Sequence, residues 1–278
     1  MVKYIVTHSG GAHRDEILAV ALALNVEKFV GTPRVYRRDP NPGEFEDPQV
    51  LVLDVGLRHE PTLNNFDHHQ MEPKVETAEC ALSLYAKARG LEDSLRYQKW
   101  YRTSIILDAC GPFKTAGDLG LPRFPMELLS PIESVLIDAF QGCGSEVNEA
   151  VLEILAGLGK RILAKAKEYV SIIEDLKSKV KIMDIAGVQA LVLEQSGTKG
   201  LQDLRDDLFP QAGISILHDD RGDGWILYRF NDDRRVDFSL LGEDPRVLFA
   251  HKGGFIAKTL HRLPLNEVVE LAAKGVIA

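Results

Sequence analysis

The sequence predicts an α/β protein with a parallel-sheet domain in its N-terminal half, a long connecting helix and a smaller α+β domain at the C-terminal end. Three observations predict it. Short apolar, β-branched runs alternate with helical segments over roughly the first third of the chain, the pattern of βαβ units. One amphipathic pattern then runs from Ser145 to Val180. Beyond it the composition changes to short strand-like runs separated by turn residues.

Tyr4 to His8 is an apolar run closed by Ser9-Gly10-Gly11, a buried strand ending in a turn. Asp15 to Leu24 reads as helix, with Asp15 and Glu16 at the positive end of its dipole. Arg34 to Arg38 is a second strand. Val50 to Val55 (VLVLDV) is continuously apolar, as a parallel strand buried on both faces must be. Glu79 to Arg89 is helical. Asp93 to Phe140 is mainly helical, with breaks at Gly111-Pro112 and across Gly120 to Pro125.

In the long pattern, Val147, Val151, Ile154, Leu158, Ile162, Tyr169, Ile173, Leu176 and Val180 fall near one face. Strands follow at Gln189 to Leu193, Gly213 to Leu217, Trp225 to Phe230 and Val247 to His251. Asp220 to Gly224 supplies a hairpin turn, and a last helix, Leu265 to Lys274, stops at Gly275. The expected division is 1–145 for the first domain, 146–180 for the connecting helix and 181–278 for the second domain.

The chain has 278 residues, 45% of them hydrophobic and 27% charged, enough for two cores. A net charge of −8 argues against a broad basic face for long duplex nucleic acid. It leaves a short oligonucleotide open, because a bound ion or a local cation cluster overrides the global sign. No apolar run is long enough to span a bilayer, and the opening MVKYIVTHSGG lacks a signal-peptide pattern. Cys80, Cys110 and Cys143 form no CxxC pair. The expectation is a cytoplasmic protein without a membrane partner, with self-association left open.

Four pieces of the N-terminal half put His or Asp at the end of a probable strand or in a turn beside it. They are His8-Ser-Gly-Gly-Ala-His13-Arg-Asp15-Glu16, Asp54-Val-Gly56, Asp67-His68-His69, and Asp108 after the apolar run Ile105 to Leu107. Open parallel sheets bind ligands outside the carboxyl ends of their strands. Imidazole and carboxylate without thiolate suit Mn²⁺ or another borderline divalent ion, with Mg²⁺ and Zn²⁺ as alternatives. Two such ions about 3.5–4 Å apart can generate a hydroxide and stabilise an in-line displacement at phosphorus. Asp54, after the most buried strand, is the expected bridge between them.

These motifs resemble the DHH phosphoesterase superfamily, through Asp67-His68-His69. The spacing His8, His13, Asp15-Glu16, together with Asp54-Val-Gly and Phe66-Asp-His-His-Gln70, resembles the Myg exonuclease branch. Phe249-Ala-His251-Lys-Gly-Gly-Phe255 is similar to that branch's closing motif. The resemblance implies one ion on His8, His13 and Asp54, and a second on Asp15, Asp54, His68 and Asp108, with Asp118 lying close to the last of these. It implies that Asp67 and His69 orient His68, so that Asp54, His68 and His69 do the chemistry. Substrate phosphate would be held by His251, Lys252, Gly253 and Gly254, with Arg235 as a nearby cation.

The expected activity is metal-dependent cleavage of short single-stranded oligonucleotides, in the manner of a 3′–5′ exonuclease. The alternatives are a phosphatase or pyrophosphatase acting on a small nucleotide, and a non-catalytic nucleotide-binding regulator. Bases would need an aromatic platform, for which Phe255, Trp225, Tyr228 and Phe230 are candidates. Arg205 is a further candidate for phosphate.

Overall fold

A computed structural model describes residues 1–121, 131–197 and 199–277. The chain divides into two units, Met1–Glu168 and Tyr169–Ala278. The division falls inside the long helix, so each unit takes part of it.

The first unit contains β1 (Tyr4–Thr7), α1 (Arg14–Val26), β2 (Val35–Arg37), β3 (Val50–Leu53), β4 (His59–Glu60), β5 (Asn65–Phe66) and α2 (Ala81–Ala88). It continues with α3 (Glu92–Leu95), α4 (Lys99–Asp118), α5 (Pro131–Gln141) and most of α6 (Glu149–Lys179). The sheet order is β2-β1-β3-β5-β4. β1 runs parallel to β2 and β3, and β3 parallel to β5; β4 pairs antiparallel to β5. All four residues of β3 are buried, which explains its unbroken apolar sequence. Leu51 and Leu53 join the core under α1 and α2, while Val50 and Val52 pack with Val6 on the opposite face.

The sheet builds outward from β1, with β2 on one side and β3 on the other. Chain direction across the sheet therefore reverses beside β1, and the crevice at such a switch point lies outside the carboxyl ends of β1 and β3.

The second unit holds β6 (Lys181–Ile185), β7 (Val188–Ser196), α7 (Leu201–Leu208), β8 (Ala212–His218), β9 (Trp225–Arg229), β10 (Val247–Ala250), β11 (Ile256–Thr259) and α8 (Leu265–Lys274). Its sheet order is β10-β11-β9-β8-β7-β6. β7 and β8 are parallel and joined through α7; the other neighbours are antiparallel. Its core gathers Val192, Ile216, Trp225, Leu227, Phe238 and Leu271. No helix among the described residues is long and apolar enough to cross a membrane.

Several expectations change in detail. β3 stops at Leu53, two residues before Val55, because Asp54 turns into the left-handed region at φ 58°. Ile154 is 57% exposed, and the neighbouring Leu155 is buried in its place. The break at Gly111 is present, with φ 80° inside α4. The expected break from Gly120 to Pro125 lies outside the described residues after Leu121. α8 ends at Gly275 without a left-handed cap; there the glycine is needed for space, since a Cβ would come 2.6 Å from the Phe238 ring.

α6 packs on α1 through Gly159. A Cβ there would lie 1.9 Å from the Ala21 carbonyl oxygen. Asn25 bridges the same crossing, donating through Nδ2 to the carbonyls of Ala21 and Ala156, each at 2.9 Å. Gly157, two residues earlier, has open space around it. Gly159→Ala is therefore expected to destabilise the protein by about 1–3 kcal/mol through overpacking. Gly157→Ala should stabilise it by about 0.5–1 kcal/mol through helix propensity. Urea unfolding of the two variants checks the contrast, and equal midpoints would refute the close crossing.

Candidate metal centre

The register of the parallel strands places the first three pieces of the site. Thr7 pairs with Leu53, and Leu53 with Phe66. The next residue on each strand is His8, Asp54 and Asp67, so three functional side chains leave the sheet at one level. After β3 the backbone turns tightly: Asp54, Gly56 and Leu57 have φ of 58°, 99° and 56°. Aspartate tolerates this conformation. Gly56 must remain glycine for a second reason, because a Cβ would lie 2.3 Å from the Phe45 ring.

Asp67 fixes this turn to its neighbour. Its carboxylate is buried and accepts from Leu57 N at 2.6 Å, His68 N at 2.7 Å and His69 N at 3.1 Å. It also accepts from His69 Nδ1 at 2.7 Å, leaving His69 Nε2 free to face outward. These bonds aim His68 inward, where its Nε2 lies 3.3 Å from Asp54 Oδ1 and 2.9 Å from Asp108 Oδ2.

The helices supply the rest. Asp15 is fully buried in the first turn of α1, and Asp15 Oδ2 accepts from Ala81 N at the start of α2 at 3.2 Å. That helix N-terminus favours a negative charge. Asp108 lies on α4, one turn before the Gly111 break. The expectation of a strand-end position for it is thus corrected: it reaches the site from a helix. Asp118 instead pairs with Arg102 at 3.1 Å.

Among the described residues three groups offer donor atoms within 4.8 Å of one another; in Asp54/Asp67/His68/His69 the Asp67 carboxylate is already engaged by amides, which leaves His8/His13/Asp54 and Asp15/Asp54/His68/Asp108 as the two ligand sets. They share Asp54, whose Oδ1 faces His68 and whose Oδ2 lies 3.4 Å from His8 Nε2. The donor atoms fit a cation. Buried His8 Nε2, Asp15 Oδ1, both Asp54 oxygens, His68 Nε2 and Asp108 Oδ2 have no hydrogen-bond partner among the described residues, although several lie close together. Buried polar atoms are rarely left so, and their convergence marks a place for an ion. His8 Nδ1 donates to the Ser9 carbonyl at 2.8 Å, which leaves Nε2 as the ligating lone pair of the neutral ring.

Electrostatics agree. Burial raises the Asp15 pKa well above the carboxylate range, and the Asp54 and Asp108 carboxylates push it further. Burial pulls the His8 imidazole down, but Asp54 and Glu16 outweigh it and hold its pKa at about 11. For His68 burial is likewise outweighed, by Asp108 and Asp54, giving about 10. Burial raises Asp54, yet His68 and His8 bring it down to about 2. Without a metal ion, protons on the two imidazoles supply the counter-charge.

The strand-end rule missed Glu16, buried beside His8, and Arg37, buried beside Glu16; an arginine at the end of a short apolar strand was the available signal. In the second unit, His251, Lys252, Gly253 and Gly254 form the tight β10–β11 turn. The expectation that the glycine amides greet a phosphate is not matched here: Gly253 N donates to His251 Nδ1 at 2.9 Å and Gly254 N to the His251 carbonyl at 2.8 Å. This bonding puts the neutral-ring proton of His251 on Nε2, and Lys252 is exposed. Arg235 is engaged by the Asp233 carboxylate at 2.6 Å. Arg205 donates to the carbonyls of Pro210 and Ala212, so it is a structural brace. Trp225 and Phe230 are core residues, leaving Tyr228 and Phe255 as the accessible aromatics.

A parallel sheet that presents this histidine–aspartate constellation at its carboxyl edge, with Asp67-His68-His69 after β5, is similar to the DHH type. More particularly, residues 4–84 match the MYG1_exonuc family model, described as an uncharacterised protein family (UPF0160). This N-terminal segment carries the signature of the Myg branch. A MYG1 protein of Schizosaccharomyces pombe is 36% identical over 94 residues, covering 32% of this chain and 28% of that protein. A MYG1 protein of Saccharomyces cerevisiae is 39% identical over 70 residues, covering 25% of this chain and 20% of that protein. The matched segments thus span about a quarter of these relatives' length.

Among solved structures, a pGpG-specific phosphodiesterase, PggH from Vibrio cholerae, aligns over 98% of this chain and 97% of its own at 15% identity, with a TM-score of 0.32. RecJ from Thermus thermophilus, solved in complex with Mn²⁺, aligns over 98% of this chain and 51% of its own at 12% identity, with a TM-score of 0.30. Neither overlap is close enough to transfer a residue role.

Binding a divalent ion requires neutral His8 and His68 and ionised Asp15. At pH 7 the two imidazoles start protonated, and Asp15 starts with a raised pKa. Ion binding should therefore release protons, and apparent affinity should rise with pH. Calorimetric titration of Mn²⁺ in buffers of different ionisation enthalpy reads the proton count directly. Heats that do not depend on the buffer would contradict this account.

Proposed function

We propose that the protein is a divalent-metal-dependent phosphodiesterase that trims short single-stranded oligonucleotides from the 3′ end. The observation that carries the reading is Asp54, shared by two ligand sets at the switch point of a parallel sheet. Two divalent ions bound there, with Mn²⁺ the proposed occupant, would neutralise phosphoryl charge and acidify a water molecule.

The protein's own residues do the rest. His8, His13, Asp15, Asp54, His68 and Asp108 would hold the ions through imidazole nitrogens and carboxylate oxygens. Asp67 orients His68 through the backbone and His69 through Nδ1. His69, through Nε2, would carry a proton to or from the leaving oxygen. A cavity of about 220 Å³ opens beside them, lined by His13, His69, Met71, Glu72, Pro73 and Glu79. It is small for a ligand site. A terminal nucleotide suits it better than a strand passing through. The same size favours, as a second reading, a phosphatase or pyrophosphatase acting on a small nucleotide.

Turnover of labelled oligonucleotides and mononucleotides with Mn²⁺, Mg²⁺ and Zn²⁺ separates the two readings. Asp54→Asn should lower kcat by roughly 10³-fold or more while the protein stays folded, since the shared charge is lost. Near-normal turnover by this variant would remove Asp54 from its central role. No turnover of any phosphate ester by the ion-loaded wild type would leave only a regulatory binding protein.

We also propose that Lys252, exposed in the β10–β11 turn, contacts a substrate phosphate. A mobile lysine in such a place contributes to ground-state binding. Lys252→Ala should then raise KM more than it lowers kcat. An unchanged KM for every cleaved substrate would reduce the turn to a structural element.

A further inference from the structure

We infer that a buried frame of Arg37, Glu16 and Gln141 positions the His8–His13 loop, and with it one of the two ion sites. The inference rests on the metal-centre reading and names residues that reading did not use. The loop Ser9-Gly10-Gly11-Ala12 joins two ligands and has little of its own to hold it. Neither Gly10 nor Gly11 has a neighbour where a Cβ would be, and Gly10 has φ 86°.

Its restraint comes from the frame. Arg37, at the end of β2, is 4% exposed and donates from Nη2 to the Gly10 carbonyl at 3.0 Å and from Nη1 to the Gln141 carbonyl at 3.3 Å. Its guanidinium lies over the Phe140 ring at 5.0 Å, a cation–π contact in a dry setting. Gln141 completes the bracket: its Oε1 accepts from Ala12 N at 3.0 Å. Both ends of the loop are thus tied to the end of α5.

Glu16 links the bracket to the ligand. Its carboxylate is fully buried, accepts from Thr7 Oγ1 at 3.1 Å and lies 3.6 Å from Arg37 Nη2. Its Oε2 also sits 2.5 Å from His8 Nε2, outside hydrogen-bond geometry. A buried carboxylate needs such a charge partner. With Arg37 behind it, Glu16 confines the His8 ring to one position and adds negative charge on the His8 side alone. The second ligand set has its own supports, the α2 N-terminus at Asp15 and the Asp67 bonds at His68.

The test is Mn²⁺ binding, followed by calorimetry and by the spin-resonance signal of free Mn²⁺, on the full chain. Wild type should bind two ions. Arg37→Met and Glu16→Gln should each weaken one ion by about 10–100-fold, the usual cost of losing a group that orients a ligand, and keep the other. Arg37→Lys should fall between, since an ammonium cannot reproduce the planar fork that spans both carbonyls. In turnover assays the variants should need more Mn²⁺ yet recover kcat at saturation, an effect that general destabilisation does not produce.

Gln141 is exposed, so Gln141→Met tests the bracket without disturbing the core, and should weaken the same ion. It decides the matter if the buried substitutions fail to fold. Two ions bound with wild-type affinity by folded Glu16→Gln and Gln141→Met would overturn the frame while leaving the metal centre intact. Wild type binding no Mn²⁺ would instead overturn the centre, and the frame with it.

Discussion

Three carboxylates with buried oxygens, Asp15, Asp54 and Asp108, converge at the edge of the N-terminal sheet, and their mutual repulsion is the constraint around which that unit is built. Like charges at this spacing in a poorly solvated place are tolerated only with compensation. The fold provides partial compensation in several forms. Imidazoles face Asp54 from both sides, the α2 amide meets Asp15, and a guanidinium stands behind Glu16. None of these saturates the donor atoms that point inward. The remaining demand is for concentrated positive charge, which is what a divalent ion brings.

Much of this was legible because strand ends are legible. A continuous apolar run followed by His or Asp fixes both an element and the edge from which its last side chain emerges, and His8 and Asp54 follow that rule. Asp108 stands on a helix and not at a strand end: Ile105 to Leu107 is apolar in either setting, and three residues cannot distinguish period 2 from period 3.6. β4 and β5 have two residues each and leave no periodic trace. Leu155 was passed over for Ile154 because a helix face is broad and neighbours on it differ by one step of about 100°. The contacts of Arg37 were not legible for another reason: they reach Phe140 and Gln141 from a distant part of the sequence, and no local pattern reports that.

The two units hold their polar side chains differently. In the first, side chains are locked by buried hydrogen bonds, and their positions follow from strand register. In the second, the β10–β11 turn satisfies its own amides through His251, so its directed donors are the His251 ring and the Lys252 ammonium. Gly254 is confined by the Asp237 carboxylate, 2.1 Å from where a Cβ would be, which keeps that turn in one shape. Tyr228 and Phe255, with ring centroids 6.5 Å apart, add aromatic surface near it. One unit offers rigid, charge-dense chemistry; the other offers a surface whose cation is on a flexible stem.

The fixed register of β1, β3 and β5 has a consequence for how the protein lives with metals in general. Sheet pairing brings His8, Asp54 and Asp67 to one level through backbone hydrogen bonds. An ion taken up there would meet donors on a folded sheet, unlike the zinc of small domains that fold around it. A scaffold of this kind cannot use folding as a filter against the wrong element. Its donors, imidazole nitrogen and carboxylate oxygen, bind zinc more tightly than manganese by intrinsic affinity. On the proposed reading, the surrounding supply of exchangeable metal would then help select the occupant.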